Sequence, residues 1–146
     1  MSFVTLDTNI LLATVLPPSP YHWVYQALRN QQYGLVVSTD ILEEYEEKLS
    51  EFYGSTFANA VLSELLNLEN VQRVSPTFFW RMIHKDHDDD KFIDAYVAAN
   101  ALYLISEDAH YKDIFKVDFP PVQWMKFAQF MNWLNGKPAQ LQRKRN

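Results

Sequence analysis

The chain has 146 residues, of which 48% are hydrophobic and 15% aromatic, so it fits one domain with a buried core and not a disordered segment. It has no cysteine, which excludes a disulfide framework and a cysteine-ligated zinc site. The net charge of −5 lacks the basic excess of a typical nucleic-acid binder, but bound divalent cations would cancel much of that charge if several acids were metal ligands.

Apolar, β-branched segments alternate with amphipathic segments along the chain. Strands are predicted at 2–6, 34–38, 71–74, 102–106 and 122–125, the last as an edge strand. Helices are predicted at 9–15, 21–31, 40–52, 57–68, 89–101, 110–114 and 127–134. Asp40 and Glu43 are predicted to cap the third helix as a capping box. This alternation predicts an α/β fold in three layers, with a central parallel sheet of four or five strands flanked by helices.

The two ends of the sequence and its apolar runs predict the environment of the protein. No apolar run approaches the roughly 20 residues that span a bilayer, and the first residues lack the basic segment of a signal peptide. We therefore expect a cytoplasmic protein that contacts no membrane. The basic end, Gln142-Arg143-Lys144-Arg145-Asn146, is interpreted either as a solvated terminus or as a mobile arm attracted to phosphates.

Two acids directly follow predicted strands. Asp7 follows the first strand and Asp108 the fourth, and open α/β sheets place their ligands at the carboxyl ends of strands. Both residues could instead cap the helices that follow them. The neighbouring hydroxyl of Thr8 could orient the Asp7 carboxylate or a metal-bound water.

Two further acidic sites lie on predicted helices. Glu44 lies at the edge of the buried stripe of its helix, although most acids in such a Glu-rich helix are solvated. The run Asp86-His87-Asp88-Asp89-Asp90, followed one helical turn later by Asp94, has more acids than capping uses. The repulsion among these acids would oppose folding unless it were screened or a metal were bound. Mg²⁺ and Mn²⁺ prefer carboxylate oxygens, so the four sites together predict a metal-dependent enzyme.

Other chemistries fit the sequence less well. The three glycines are isolated from one another, so there is no glycine-rich phosphate loop, and no Ser–His–Asp nucleophile elbow is visible. His87 could ligate a metal or lie exposed in a loop. Phe78, Phe79 and Trp80 could stack on bases or belong to the core.

Four segments, in this order, resemble the motifs of PIN-domain nucleases. They are Leu6-Asp7-Thr8-Asn9-Ile10-Leu11-Leu12, Ser38-Thr39-Asp40-Ile41-Leu42-Glu43-Glu44-Tyr45, Asp86-His87-Asp88-Asp89-Asp90-Lys91-Phe92 and Ile105-Ser106-Glu107-Asp108. The resemblance runs from Ser2 to Phe130 and is greatest to the branch that contains toxins of bacterial toxin–antitoxin systems. Two positions depart from the family pattern. His87 replaces the usual proline, and Ser106-Glu107-Asp108 replaces the usual Thr-Gly-Asp, which adds a negative charge near the phosphate path.

The resemblance implies a role for each of these motif residues. The catalytic acids and ligands of Mg²⁺ or Mn²⁺ would be Asp7, Glu44, Asp89 and Asp108. The residues that support these ligands would be Thr8, Asn9, Ser106, Asp90 and Asp94. It further implies a PIN-like nuclease domain over residues 1–136, which the basic tail 137–146 follows.

The expected activity is endonucleolytic hydrolysis of single-stranded RNA by a metal-activated water, without a covalent intermediate. The expected partners are RNA, a cognate antitoxin protein and a second copy of the chain. The candidate dimer contacts, which could equally belong to the core, are Trp124, Phe127, Phe130 and Trp133. Two other functions stay open: a non-catalytic PIN-fold interaction domain, and a Mg²⁺-dependent phosphatase. The phosphatase is disfavoured because Asn9 stands where an Asp-x-Asp motif would have its second acid.

Overall fold

The centre of the molecule is a sheet of five parallel strands. The computed structural model describes residues 1–81, 90–116 and 121–143. The strands are Phe3–Leu6 (β1), Gly34–Val37 (β2), Val71–Arg73 (β3), Tyr103–Ile105 (β4) and Trp124–Met125 (β5). The helices are Thr8–Val15 (α1), His22–Arg29 (α2), Thr39–Tyr53 (α3), Ser55–Asn67 (α4), Asp90–Ala99 (α5) and Phe127–Leu134 (α6), with a 3₁₀ helix at Ala109–Lys116. The predicted α/β fold with a parallel sheet flanked by helices is confirmed.

The strand order, β3-β2-β1-β4-β5, places β1 in the middle of the sheet. Val4 of β1 lies opposite Leu35 of β2 on one side and Tyr103 of β4 on the other. The strands β2 and β3 lie in sequence order on one side of β1, and β4 and β5 lie on its other side. The strand order therefore reverses between β1 and β4. The carboxyl ends of these two strands flank this switch point, which is where open α/β sheets bind ligands.

The inner strands are apolar because helices cover the sheet. All residues of β2 and β4 are buried, as are three of the four in β1, which is the pattern of parallel strands covered on both faces. Helix α5 packs against β1, β2 and β4, while α3 packs along α4 and against α1. The proposed dimer contacts Trp124, Phe127 and Phe130 are buried within the single chain, whereas Trp133 is partly buried. The first three therefore belong to the core and are not available as contacts.

Two local predictions were wrong. The N-cap of α3 is Ser38 and not Asp40, because Ser38 has the extended backbone of a cap and its side chain accepts a hydrogen bond from the N–H of Ile41 at 3.2 Å. Asp40 lies in the first turn instead, where the helix dipole favours an acid. The edge strand β5 is also shorter than the predicted 122–125, since it comprises Trp124 and Met125 alone.

The part of the predicted tail that the structure describes lies against the domain. The backbone N–H of Gln142 donates to the carbonyl of Trp124 at 2.8 Å, and Leu141 packs on the core. Residues 144–146 lie outside the described residues. Within the described ranges, no helix combines the length and the apolar character needed to cross a bilayer.

The glycine that begins β2 is required by a close approach of Phe3 in β1. A Cβ atom added to Gly34 would overlap the ring of Phe3, its neighbour in the sheet register. We expect Gly34→Ala to lower the free energy of unfolding by about 1–3 kcal/mol, as overpacking does in a packed interior. Urea denaturation measures this loss. The same substitution in a Phe3→Ala background should cost much less, and an equal loss in both backgrounds would show that the ring is not the cause.

Candidate active site

Asp7 stands where β1 ends and α1 begins. Its side chain is buried, and its backbone N–H donates to the carbonyl of Ile105 in β4 at 3.0 Å. Asp7 occupies the N-cap position of α1, yet its side chain makes no capping hydrogen bond. Helix capping therefore does not account for this carboxylate, whose side-chain partner lies at the end of β4.

Ser106 holds the Asp7 carboxylate. The fully buried serine hydroxyl donates to Asp7 Oδ2 at 2.6 Å and accepts from the backbone N–H of Asp108 at 2.9 Å. The indole N–H of Trp124 donates to the Ser106 carbonyl at 2.9 Å and so fixes the backbone of that serine. One hydroxyl thus links the carboxyl ends of β1 and β4 at the switch point.

The electrostatic environment of Asp7 favours its neutral form. Burial raises the pKa of Asp7 above its usual value, and the charges of Glu44 and Asp108 raise it further. The hydrogen bonds from Ser106 and from the backbone of Thr8 oppose that shift because they stabilise the ionised carboxylate. Glu44 and Asp108 therefore lie close enough to Asp7 to act on its carboxylate, and a cation among the three acids would relieve the repulsion at Asp7.

Glu44 reaches this cluster from α3. The hydroxyl of Thr8 donates to Glu44 Oε2, and the ammonium of Lys91 lies 2.9 Å from Glu44 Oε1. The Glu44 side chain is 21% exposed, whereas Glu46 and Glu47, further along the same helix, are exposed. The predicted difference in burial between Glu44 and its neighbours is thus confirmed.

Asp108 lies at the end of the loop that follows β4. Its carboxylate Oδ1 accepts from the backbone N–H of His110 at 2.9 Å, and the imidazole Nδ1 of His110 lies 3.4 Å from the same oxygen. Asp108 therefore caps the 3₁₀ helix, as the capping alternative predicted. It also lies near enough to Asp7 to raise the pKa of that residue, so the two roles coexist.

The donor set suits a hard divalent cation, since it consists of carboxylate and hydroxyl oxygens. Within the described ranges, no three acidic or histidine side chains are grouped closely enough to hold a metal ion by themselves. The fourth predicted ligand, Asp89, lies outside the described residues, as do Asp86, His87 and Asp88. The observation that favours a metal is therefore the like-charge cluster around Asp7, with one of its acids already neutralised by Lys91.

Asp90 and Asp94 on α5 belong to a second acidic set. Both are 5% exposed, and the backbone N–H of Trp80 donates to Asp94 Oδ1 at 2.9 Å. Burial raises the pKa of Asp94 and the charge of Asp90 adds to the rise, while the hydrogen bond from Trp80 opposes it. The charges that shift Asp7 come from Glu44 and Asp108. The structure therefore does not group Asp94 with Asp7 directly.

An open cavity of about 190 Å³ lies beside Asp94 of the second set. Lys91 and Asp94 line it, together with Thr39, Asp40 and Phe79, and a second cavity lined by Arg81, Asp90 and Lys91 adjoins it. Because Lys91 also contacts Glu44, the cavity opens beside the first acidic set. Phe79 lines both cavities. Phe78 and Phe79 have 63% and 60% of their surface exposed, so these two rings are not core residues.

Sequence reasoning missed Lys91 and the contact between Glu107 and α6. Lys91 is the cation in an acidic run, a signal that was visible at Asp88-Asp89-Asp90-Lys91. Glu107 was expected to add charge near the phosphate path, but its Oε1 accepts from the N–H of Phe127 at 3.0 Å and so satisfies the start of α6. Asn9 is exposed on the first turn of α1.

Comparison with known proteins agrees with the fold. Residues 4–110 match the family model of the PIN domain. A solved structure of similar fold is that of VapBC2 from Rickettsia felis bound to a DNA fragment from their promoter. The similarity covers 85% of this chain and 98% of that chain, with 17% identity and a TM-score of 0.58, so it concerns the fold alone. No curated protein sequence matches the chain.

Proposed function

We propose, because this chain belongs to the PIN-domain family, that it is a Mg²⁺- or Mn²⁺-dependent endoribonuclease that hydrolyses single-stranded RNA. PIN domains are generally nucleases, which supports a hydrolase that acts on phosphodiester bonds. The requirement for a metal and the choice of RNA as the substrate are proposed in addition to this hydrolase activity.

The observation that carries the proposal is the position of the buried Asp7 carboxylate beside Glu44 and Asp108. These acids come from the ends of β1 and β4 and from α3, and the charges of the other two raise the pKa of Asp7. A fold gains nothing from burying a carboxylate among like charges, so such an arrangement is typical of functional sites. A divalent cation would turn that repulsion into attraction.

The residues of the site have distinct roles in the proposed mechanism. Asp7, Glu44 and Asp108, with Asp89, would hold the metal, which supplies Lewis acidity toward the scissile phosphate and a water of lowered pKa. Ser106 orients the Asp7 carboxylate through its hydroxyl. The hydroxyl of Thr8 holds Glu44 in the same way. Their hydrogen bonds fix the ligand oxygens before substrate arrives, which is how supporting residues tune a metal site.

The preference for single-stranded RNA rests on the exposed aromatic rings beside the site. Phe79 lines the cavity and the preceding Phe78 is likewise exposed. A base that leaves its stack can be held by such rings for about 1–3 kcal/mol each. Unpaired bases can reach them, whereas paired bases in a duplex cannot. Positive side chains nearby, among them Lys91 and Arg81, would compensate part of the phosphate charge.

The proposed cellular context is a toxin–antitoxin module in the cytoplasm, with a protein partner that restrains the nuclease. The motifs resemble the toxin branch of the family, and the structure of similar fold is a VapBC2 assembly on promoter DNA. We also propose that the chain forms a homodimer, although three of the candidate aromatic contacts are buried in the single chain.

Glu44 and Glu47 provide a matched pair for the test, because both lie on α3 and only the first reaches the acidic cluster. We expect Glu44→Gln to lower Mn²⁺-dependent cleavage of single-stranded RNA by at least about 100-fold, since loss of a residue that only supports a metal ligand already costs about 10–100-fold. Glu47→Gln should cleave like the unmodified protein. A chelator should suppress cleavage by the unmodified protein and by Glu47→Gln. Equal activity of the two variants, or cleavage that persists in chelator, would contradict the proposal. Absence of cleavage by the unmodified protein would favour a non-catalytic interaction domain.

A further inference from the structure

The proposed metal site already contains a positive charge, the ammonium of Lys91. This ammonium is 2.9 Å from Glu44 Oε1, and the two side chains are 16% and 21% exposed. Such a pair is screened less than one on the surface. The other oxygen of Glu44 accepts from Thr8, so both oxygens of this proposed ligand are engaged. A divalent cation that binds Glu44 Oε1 would meet the repulsion of this ammonium at close range, so its binding is favoured when the ammonium leaves.

The side chain of Lys91 is suited to such a departure. Lysine has a compact charge on a flexible four-carbon stem, and its position relative to a carboxylate is not fixed by a rigid fork as it is in arginine. Lys91 lies at the start of α5, so its backbone stays in place while the ammonium moves. The hydroxyl of Thr8, by contrast, belongs to a short side chain at the start of α1 and has no comparable reach.

The two cavities that Lys91 lines would accommodate its ammonium after it leaves Glu44. Lys91 lines the open cavity beside Glu44, together with Thr39 and Phe79, and it also lines the adjoining cavity with Arg81. A strand of RNA whose base contacts Phe79 would carry a phosphate into this space. An ammonium in that cavity would meet a phosphate oxygen as a point charge.

We infer that Lys91 is an exchangeable counter-ion: it neutralises Glu44 in the metal-free protein and contacts a phosphate of the substrate once a divalent cation has taken that carboxylate. The inference rests on the proposed function and deepens it. Lys91 is then a positioning residue for Glu44 in one state and a substrate contact in the other. In the metal-free protein the Lys91 ammonium offsets the negative charge of Glu44. Because it competes with the metal for that carboxylate, it also lowers the affinity for the metal.

The test compares Lys91→Met with Lys48→Met. Both substitutions remove the charge of a lysine paired with a glutamate of α3, but the Lys48–Glu51 pair is a surface pair with 41% and 57% exposure. We expect calorimetry to show that Lys91→Met binds Mn²⁺ about tenfold more tightly than the unmodified protein, because a competing positive charge has been removed. Lys48→Met should bind as the unmodified protein does. With RNA, Lys91→Met should need less Mn²⁺ for half-maximal activity and have a higher KM.

The outcomes separate the inference from the proposed function. Mn²⁺ affinity that is unchanged or weaker in Lys91→Met overturns the exchange while leaving a metal-dependent nuclease in place. Binding by the variant alone would support the exchange in its strongest form, whereas absence of binding to both proteins would overturn the inference and the metal requirement together. If Lys91→Met does not fold, as judged by circular dichroism, Lys91→Gln replaces it, since glutamine retains a hydrogen-bond donor for Glu44.

Discussion

Asp7→Asn is expected to abolish RNA cleavage while making the protein more stable to heat. Asparagine removes a charge that is buried beside Glu44 and Asp108, so it removes a proposed metal ligand and the repulsion among these acids at once. We expect cleavage to fall by at least about 100-fold and the free energy of unfolding to rise by about 1 kcal/mol, or about 2–4 °C in Tm for a chain of this length. A gel assay and a thermal melt measure the two effects.

The gain in stability should depend on pH in a defined direction. The pKa of Asp7 is higher in the folded protein than its usual value, so the folded state retains this proton when the unfolded state has lost it. The penalty for the buried charge is therefore absent below about pH 3.9, grows as pH rises toward the folded pKa, and is complete above it. The stability difference between Asp7→Asn and the unmodified protein should shrink as the pH is lowered toward 4. A difference that is constant with pH would show that charge at Asp7 is not its cause, and undiminished cleavage would remove Asp7 from the site.

Ser106→Ala is expected to impair both folding and cleavage. The hydroxyl donates to Asp7 and accepts from the N–H of Asp108, so alanine leaves a buried acceptor and an amide without this partner. The loss in unfolding free energy should be about 1–3 kcal/mol, and cleavage should fall by about 10–100-fold, as when a residue that orients a metal ligand is removed. Urea denaturation and initial rates under saturating Mn²⁺ distinguish the two effects.

Ser106→Thr is the matched control for the hydroxyl. Threonine retains the oxygen that serves Asp7 and is the residue that the family pattern has at this position. We expect most of the activity and stability to remain. If threonine were as damaging as alanine, tight packing around the fully buried Ser106, and not its hydrogen bonds, would be what the site requires.

The elements of the fold could be predicted because their patterns are local. Gly34–Val37 is a short apolar run that ends at Ser38, and Phe127–Leu134 is bounded by Lys126 and by Asn135-Gly136, so both have clear limits in the sequence. The cap of α3 was misplaced because Ser38 and Asp40 are both good capping residues and only the backbone conformation of Ser38 decides between them. The length of β5 depends on pairing with β4, which lies some twenty positions earlier.

The site could be predicted less completely, because its contacts join distant parts of the chain. The positions of Asp7 and Asp108 followed from the ends of β1 and β4, which is a general property of parallel sheets. The partner of each acid did not follow. Nothing in the sequence pairs Lys91 with Glu44, or shows that Asp94 would bond to the backbone of Trp80 instead of approaching Asp7. Such choices are made by packing among helices that no local pattern records.

The central position of β1 has a consequence during protein synthesis. Ser106, the hydrogen-bond partner of Asp7, is synthesised 99 positions after it, and β1 lacks one of its two neighbouring strands until β4 has been made. Such long-range pairing is also slow to form. A nascent chain therefore carries its acids in separate, unassembled pieces while the messenger is being read. Whatever chemistry the completed site performs begins only after the ribosome has translated the whole stretch from Asp7 to Asp108.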